Sequence, residues 1–151
     1  MMKTIYLAVV EQLKTKVPAL RWIDADMGQL DFYEMRPSVA FPCALIDIDL
    51  PECVDNSELV QMCDVAITIR LAFEPAGQAN GAAPESVQTK ALAMWDTVSA
   101  VFSALQGFGT AEFGGLSRQS QTNEKREDNI KVVKQVWTAT FEEEVIIEEE
   151  V

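Results

Sequence analysis

The chain has 151 residues, with 24 Asp and Glu against 12 Lys and Arg, and no histidine. That length fits one domain, and the 48% hydrophobic content belongs to a folded globular chain and excludes wholesale disorder. A formal charge of −12 argues against binding a nucleic-acid backbone, which needs cations to displace phosphate counterions, and the missing histidine removes every Ser-His, Cys-His and His-metal mechanism one chain could assemble alone.

The chain opens Met1-Met2-Lys3-Thr4, then Ile5-Tyr6-Leu7-Ala8-Val9-Val10 before Glu11. This apolar run is shorter than a signal-peptide core of ~7–15 residues. No stretch approaches the ~20 apolar residues of a membrane span, so the protein is expected to stay in the cytoplasm where it is made. Residues 2–16 read as a helix: Ile5, Ala8, Val9 and Leu13 recur at helical spacing opposite Lys3, Glu11, Gln12 and Lys14. Pro18 stops it. A short extended piece follows at Leu20–Asp24, and Met27-Gly28-Gln29 reads as a turn.

Two prolines, Pro37 and Pro42, keep the next segment extended and lead into a strand over 43–50, with Asp47 and Asp49 on its wet face. Pro51 is expected to end that strand. Leu59 to Phe73 is the clearest strand: Val65, Ile67, Ile69, Leu71 and Phe73 alternate with Ala66, Thr68, Arg70 and Ala72. Its length predicts a bulge near Met62-Cys63-Asp64.

Residues 74–84 form a loop rich in small residues, bracketed by Pro75 and Pro84, with nothing to bury and therefore mobile. It is either a connector or an interaction loop. Ser86 to Gln106 is the strongest helix, with Val87, Ala91, Met94, Trp95, Val98, Val101, Phe102 and Leu105 on its apolar stripe. Ser86 is its expected N-cap and Gly107 its stop. The glycines from 107 to 115 read as a turn, because no helix follows them as a phosphate loop requires. A polar strand over 116–122, a charged turn over 123–129 and a final strand over 130–141 complete the pattern. That last strand is apolar on both faces, which suits a central strand or a subunit contact.

Chemistry-bearing groups are sparse. Cys43, Cys53 and Cys63 have no CxxC spacing, and three thiols in a reducing compartment read as buried or half-buried free cysteines. Asp47, Asp49 and Asp64 are a solvated strand face, the alternative being a carboxylate site. Trp22, Trp95 and Trp137 read as core or subunit contacts. Arg118, Lys125, Arg126, Lys131 and Lys134 outweigh Glu124, Glu127 and Asp128 between 117 and 134. This local excess of cations is either a solvated hairpin tip or a patch for an acidic surface.

Element order and these residues resemble the tail-terminator (tail-completion) proteins of long-tailed bacteriophages and their prophage relatives. The likeness is carried by the first helix with Leu13, the run Arg36-Pro-Ser-Val-Ala-Phe-Pro-Cys-Ala-Leu-Ile-Asp, and the alternating Asp64-Val-Ala-Ile-Thr-Ile-Arg-Leu. The long helix ending Leu105-Gln-Gly and then Gly114-Gly115-Leu-Ser-Arg118 completes it. It extends to about Phe141. The Glu-rich end, Glu142–Glu144 and Glu148–Glu150, departs from the family pattern and holds half of the acid excess.

The resemblance implies an α+β fold, a mainly antiparallel β-sheet packed by an N-terminal helix and a long central helix. The domain would span 1–141, with 142–151 an acidic extension. It implies a homo-oligomeric ring, typically hexameric, that caps the tail tube, ends its polymerisation and docks the head connector. Its partners would be copies of itself, the tail-tube protein and the head connector protein. No membrane, no direct nucleic-acid contact by the monomer, no catalytic residue, no cofactor and no metal enter that picture. Its place would be the host cytoplasm during assembly and then the virion tail. Candidate assembly contacts are the loop residues Pro75, Gly77, Gln78, Asn80, Gly81 and Pro84 and the cations Arg118, Lys125 and Arg126. The competing readings are another head–tail connector or minor tail protein, and a small non-phage cytoplasmic binding module.

Overall fold

The computed structural model describes residues 1–32, 36–75 and 77–147. Helix α1 (Met2–Lys16) buries Ile5, Val9 and Leu13, three residues one helical turn apart. Its last turn carries Lys14 and Lys16, where cations complement the helix dipole. Strand β1 (Trp22–Ala25) follows, then β2 (Cys43–Ser57), β3 (Val60–Phe73), α2 (Glu85–Leu105), β4 (Ser117–Glu124) and β5 (Lys131–Glu144). The sheet order is β1-β2-β3-β5-β4, with only β1–β2 parallel. This is the expected α+β architecture of a mainly antiparallel sheet with an N-terminal and a long central helix. The final strand is central, between β3 and β4.

Both helices cover one face. Ile5, Val9 and Leu13 of α1 and Val98, Val101 and Leu105 of α2 pack on Val65, Ile67, Ile69, Leu71, Val133 and Trp137. Gln12 joins the helices, its amide donating to the Ala104 carbonyl at 2.9 Å. The opposite face has a smaller core at one end only: Leu30 and Phe41 lie on Cys43, Leu45, Ala72 and Val132. Leu45 is therefore buried, although it shares its strand face with the exposed Asp47 and Asp49.

Three local expectations are corrected. Strand β2 does not end at Pro51 but runs through it to Ser57. Between Asp49 and Glu52 it carries one residue more than β3, whose Ala66 and Asp64 face those two. The bulge therefore sits on β2 at Leu50-Pro51 and not on β3, whose ladder with β5 is unbroken from Val60 to Phe73. A proline has no N–H for a ladder, so the irregularity belongs to the strand that contains it. Helix α2 is capped at Pro84, with no side-chain cap bond, and begins at Glu85. Proline preorganises a helix start, so Ser86 lies inside the helix. Gly107 does stop it, in the left-handed region at φ 77°.

Strand β5 continues to Glu144, so Glu142–Glu144 pair with Met62, Gln61 and Val60 and belong to the sheet. Val145 follows, its N–H on the Leu59 carbonyl at 2.9 Å, and Ile146 and Ile147 are exposed. The remaining acids, Glu148–Glu150, lie outside the described residues. Beyond the bulge, β2, β3 and β5 form a three-stranded tongue: Cys63 and Phe141 at its base stay in the helix-side core, and residues 51–59 and 142–144 are exposed.

Candidate functional site

The loop after β3 is shaped by its own side chains and by α2. Asn80 shapes its tip: the side-chain oxygen accepts from Ala82 N–H at 3.0 Å and the carbonyl accepts from Ala83 N–H at 3.0 Å, the local bonding that makes Asn a turn residue. The Asn80 amide also donates to Gln78 Oε1 at 3.2 Å. Gln88 of α2 reaches back, its amide donating to the carbonyls of Ala79 and Asn80 at 3.4 Å each. The segment expected to lack anchors is thus tethered to the helix it precedes. Gly77, at φ 111°, adopts a conformation other residues resist, and a Cβ there would lie 3.4 Å from Val87. Ala76 lies outside the described residues.

The loop roofs a cavity of about 730 Å³. Pro75, Gly77 and Ala79 form one wall, Lys90, Ala91, Met94 and Thr97 of α2 another, and Phe41, Pro42 and Phe73 the floor, with Asn129 and Lys131 at the rim. Gln78, Asn80 and Gly81 are exposed outside it. The cavity is mainly apolar, with two cations and Glu74 at its edges, a composition suited to an apolar segment with acidic flanks. Trp95 stands nearby at 39% exposure, its ring 5.6 Å below the Lys131 ammonium. Val87 is likewise exposed. Of the three tryptophans only Trp137 is fully buried.

The predicted cationic contacts separate into three situations. Lys125 is exposed. Arg118 is half-buried, its guanidinium 4.3 Å from the Phe102 ring centroid and bonded to Gln121 Oε1 at 2.9 Å. Arg126 is only 2% exposed, gripping Asp128 with Nε and Nη2 and donating to the Leu30 carbonyl. It is spent inside the subunit and cannot present charge to a partner. Its hydrogen bond holds the Asp128 carboxyl below the ordinary carboxylate range.

A network missed in the sequence explains that arrangement. Arg70, 11% exposed, forms a two-point contact with Glu124 at 2.8 and 2.7 Å and reaches Asp31 at 3.1 Å and Asp26 at 3.5 Å. Arg126 adds a longer approach to Glu124 at 3.9 Å. The Glu124 contact keeps the guanidinium protonated far beyond its ordinary range. These groups pin residues 26–31 to the sheet. The available signal was a lone arginine between Thr68 and Ala72 on a strand face, since a buried cation requires carboxylate partners.

Other candidates are dispersed. Asp47, Asp49 and Asp64 are exposed along one face, and among the described residues no group of three metal-ligating side chains converges. Cys43 and Cys63 are buried, but Cys53 is exposed, contrary to expectation, because it lies in the part of β2 after the bulge, where residues 51–57 are all exposed. It sits directly opposite Cys63 across the β2–β3 ladder. Burial, with a bond to the Cys53 thiol second, raises the Cys63 thiol to about 11. Among the described residues no helix is long and apolar enough to cross a membrane.

No family model and no curated protein matches the chain. Among solved structures it is similar to a chain in the virion of a native gene transfer agent (GTA) particle, with a TM-score of 0.53 and 15% identity. The likeness covers 91% of this chain and 94% of that one. At this identity the likeness is one of fold, and it takes in the helices and the sheet together.

Proposed function

We propose that this chain is a non-enzymatic structural subunit of a phage-like particle, specifically a tail terminator. In this reading copies close into a ring that caps the tail tube, ends tube growth and offers a docking face to the head connector. The observation that carries it is the fold shared, nearly end to end, with a chain from a gene transfer agent virion. The order of elements that resembles tail terminators supports the finer role. The loop cavity supports it too, as a tethered apolar pocket suited to a segment of a neighbouring protein.

The role requires no proton shuttle, which suits a chain without histidine. It requires contacts that bury apolar surface between subunits. Trp22, Trp95, Val54 and Leu59 are available for this purpose.

The test is assembly. Purified protein should give closed rings in negative-stain images and a matching mass in solution, and adding it to growing tail tubes should stop their elongation. A chain that stays monomeric even with tail-tube protein present would overturn the reading. Rings that form but leave tube growth unchanged would move the assignment to another connector or minor tail protein.

A further inference from the structure

Two surfaces away from the loop cavity complement each other. The first is on the tongue. Residues opposite one another across a ladder share a face, so the register puts Val54, Met62 and Glu142 in one row. Glu52 and Asp64 lie in the row on one side, and Glu144 in the row on the other. Val65, next to Asp64, points into the helix-covered core, so these rows face away from the helices. Val54 and Met62 are 55% and 37% exposed. The result is an apolar pair amid carboxylates, on a stretch with no Lys or Arg from Cys43 to Ile69.

The second surface is a groove of about 510 Å³ between α1 and β1. Its walls are Val10, Leu20, Trp22 and Ile23, and its cations are Lys14 and Arg21, with Asp24 at one end. Trp22 is 40% exposed, and among the described residues neither Lys14 nor Arg21 has an ion-pair partner. Strand β1 is an edge of the sheet, so unpaired backbone groups flank the groove.

These patches cannot meet within one subunit. Trp22 pairs with Cys43 at the start of β2, and Val54 lies on the same strand, which separates them by roughly 30 Å at strand rise. We propose that the tongue of one copy seats in the α1–β1 groove of the next. Val54 and Met62 meet Trp22 and Ile23, while Glu52 and Glu142 meet Lys14 and Arg21. Two different patches make this contact head-to-tail, the kind that closes into a ring when the rotation allows. The inference rests on the ring reading for closure and names the surfaces that make it.

Charge reversal tests it. Glu52→Lys with Glu142→Lys sets cations opposite the groove's Lys14 and Arg21, and Lys14→Glu with Arg21→Glu sets carboxylates opposite the tongue's Glu52 and Glu142. All four side chains are exposed, and circular dichroism with a thermal melt checks that each variant folds. Each variant alone should lose self-association by at least about tenfold. Mixing them should restore full-size assemblies of alternating copies, because every contact again pairs opposite charges. Variants that assemble as the parent does would overturn this contact and leave the ring reading standing. Variants that fail alone and fail when mixed would also overturn it. A monomeric parent would overturn both.

Discussion

Arg70 on β3 holds both carboxylate oxygens of Glu124, the last residue of β4, although β5 runs between those two strands. The bond bridges across Lys134, which pairs with Arg70 in the β3–β5 ladder. It gathers Asp26 and Asp31 on the same guanidinium. Replacing Arg70 with Leu should destabilise the protein by about 3–5 kcal/mol, because Asp26 and Asp31 lose their cation and Glu124 keeps only the longer approach of Arg126, while Asp26 and Glu124 stay largely covered. Urea denaturation measures this, and a loss below 1 kcal/mol, on the order expected of an exposed ion pair, would show that solvent already screens the network.

Asp128 should give the fold part of its acid sensitivity. Its pKa is depressed in the folded state by the Arg126 hydrogen bond. Its contribution is therefore present above the ordinary carboxylate pKa, and it is lost as pH falls through the lower, folded value. Asp128→Asn should cost about 1–3 kcal/mol at neutral pH and flatten the decline of stability in acid. A variant whose stability-versus-pH curve runs parallel to the parent's, merely displaced, would remove Asp128 from that role.

The buried Gln135 belongs to a polar chain inside the sheet. Trp137 donates its indole N–H to Gln135 Oε1 at 3.1 Å, and the Gln135 amide donates to Gln121 Oε1 at 2.8 Å. Gln135→Leu leaves the indole N–H without an acceptor and should cost about 1–3 kcal/mol. Trp137→Phe in that background should recover part of the loss, since it removes the stranded donor. A double-mutant cycle with no coupling between the two positions would count against the bond.

Alkylation with iodoacetamide at neutral pH should label Cys53 alone. Cys53 is exposed, whereas burial raises Cys43 and Cys63 to about 11 and leaves little thiolate. Mass spectrometry should find one adduct on the native protein and three after denaturation. Native labelling at Cys63 would mean that the tongue lifts away from the helix-side core that covers this residue.

Shortening Pro75–Pro84 to a tight turn should change stability by under about 1 kcal/mol, because closure entropy depends weakly on length. The same change removes the roof of the cavity and the Gln88 tethers, so it should impair tail capping. Normal capping by the shortened protein would confine the loop to a connecting role.

Legibility in the sequence followed the range of the physics involved. Val65 to Phe73 and Ile5, Val9 and Leu13 carry periodicities that local burial imposes, so the strand, the helix and their inward faces were readable. Gly107 was readable because its left-handed φ is a property of one residue. Pro51 misled, since a proline stops a regular ladder but not a bulged one, and the bulge depends on β3. Val87 and Trp95 fit the helical stripe yet stay exposed, Val87 in the first turn and Trp95 at mid-helix, where Lys131, the first residue of β5, reaches its ring. The Arg70 network was hidden because Asp26, Asp31 and Glu124 converge only after three separate segments fold together. Arg126 looked like a surface charge because Asp128, two residues on, looked equally solvated.

Strand β3 joins the two ends of the subunit. From Val60 in the tongue to Phe73 on the cavity floor it keeps register with β5 without a single slip, while the slips fall on β2 and β4. It therefore works as a spar roughly 40 Å long. A neighbour seated on the tongue and a ligand segment seated under the loop are held at a fixed bearing to each other. In a closed assembly that bearing repeats at every position, so the outward direction of each cavity is set by the angle at which the subunits meet.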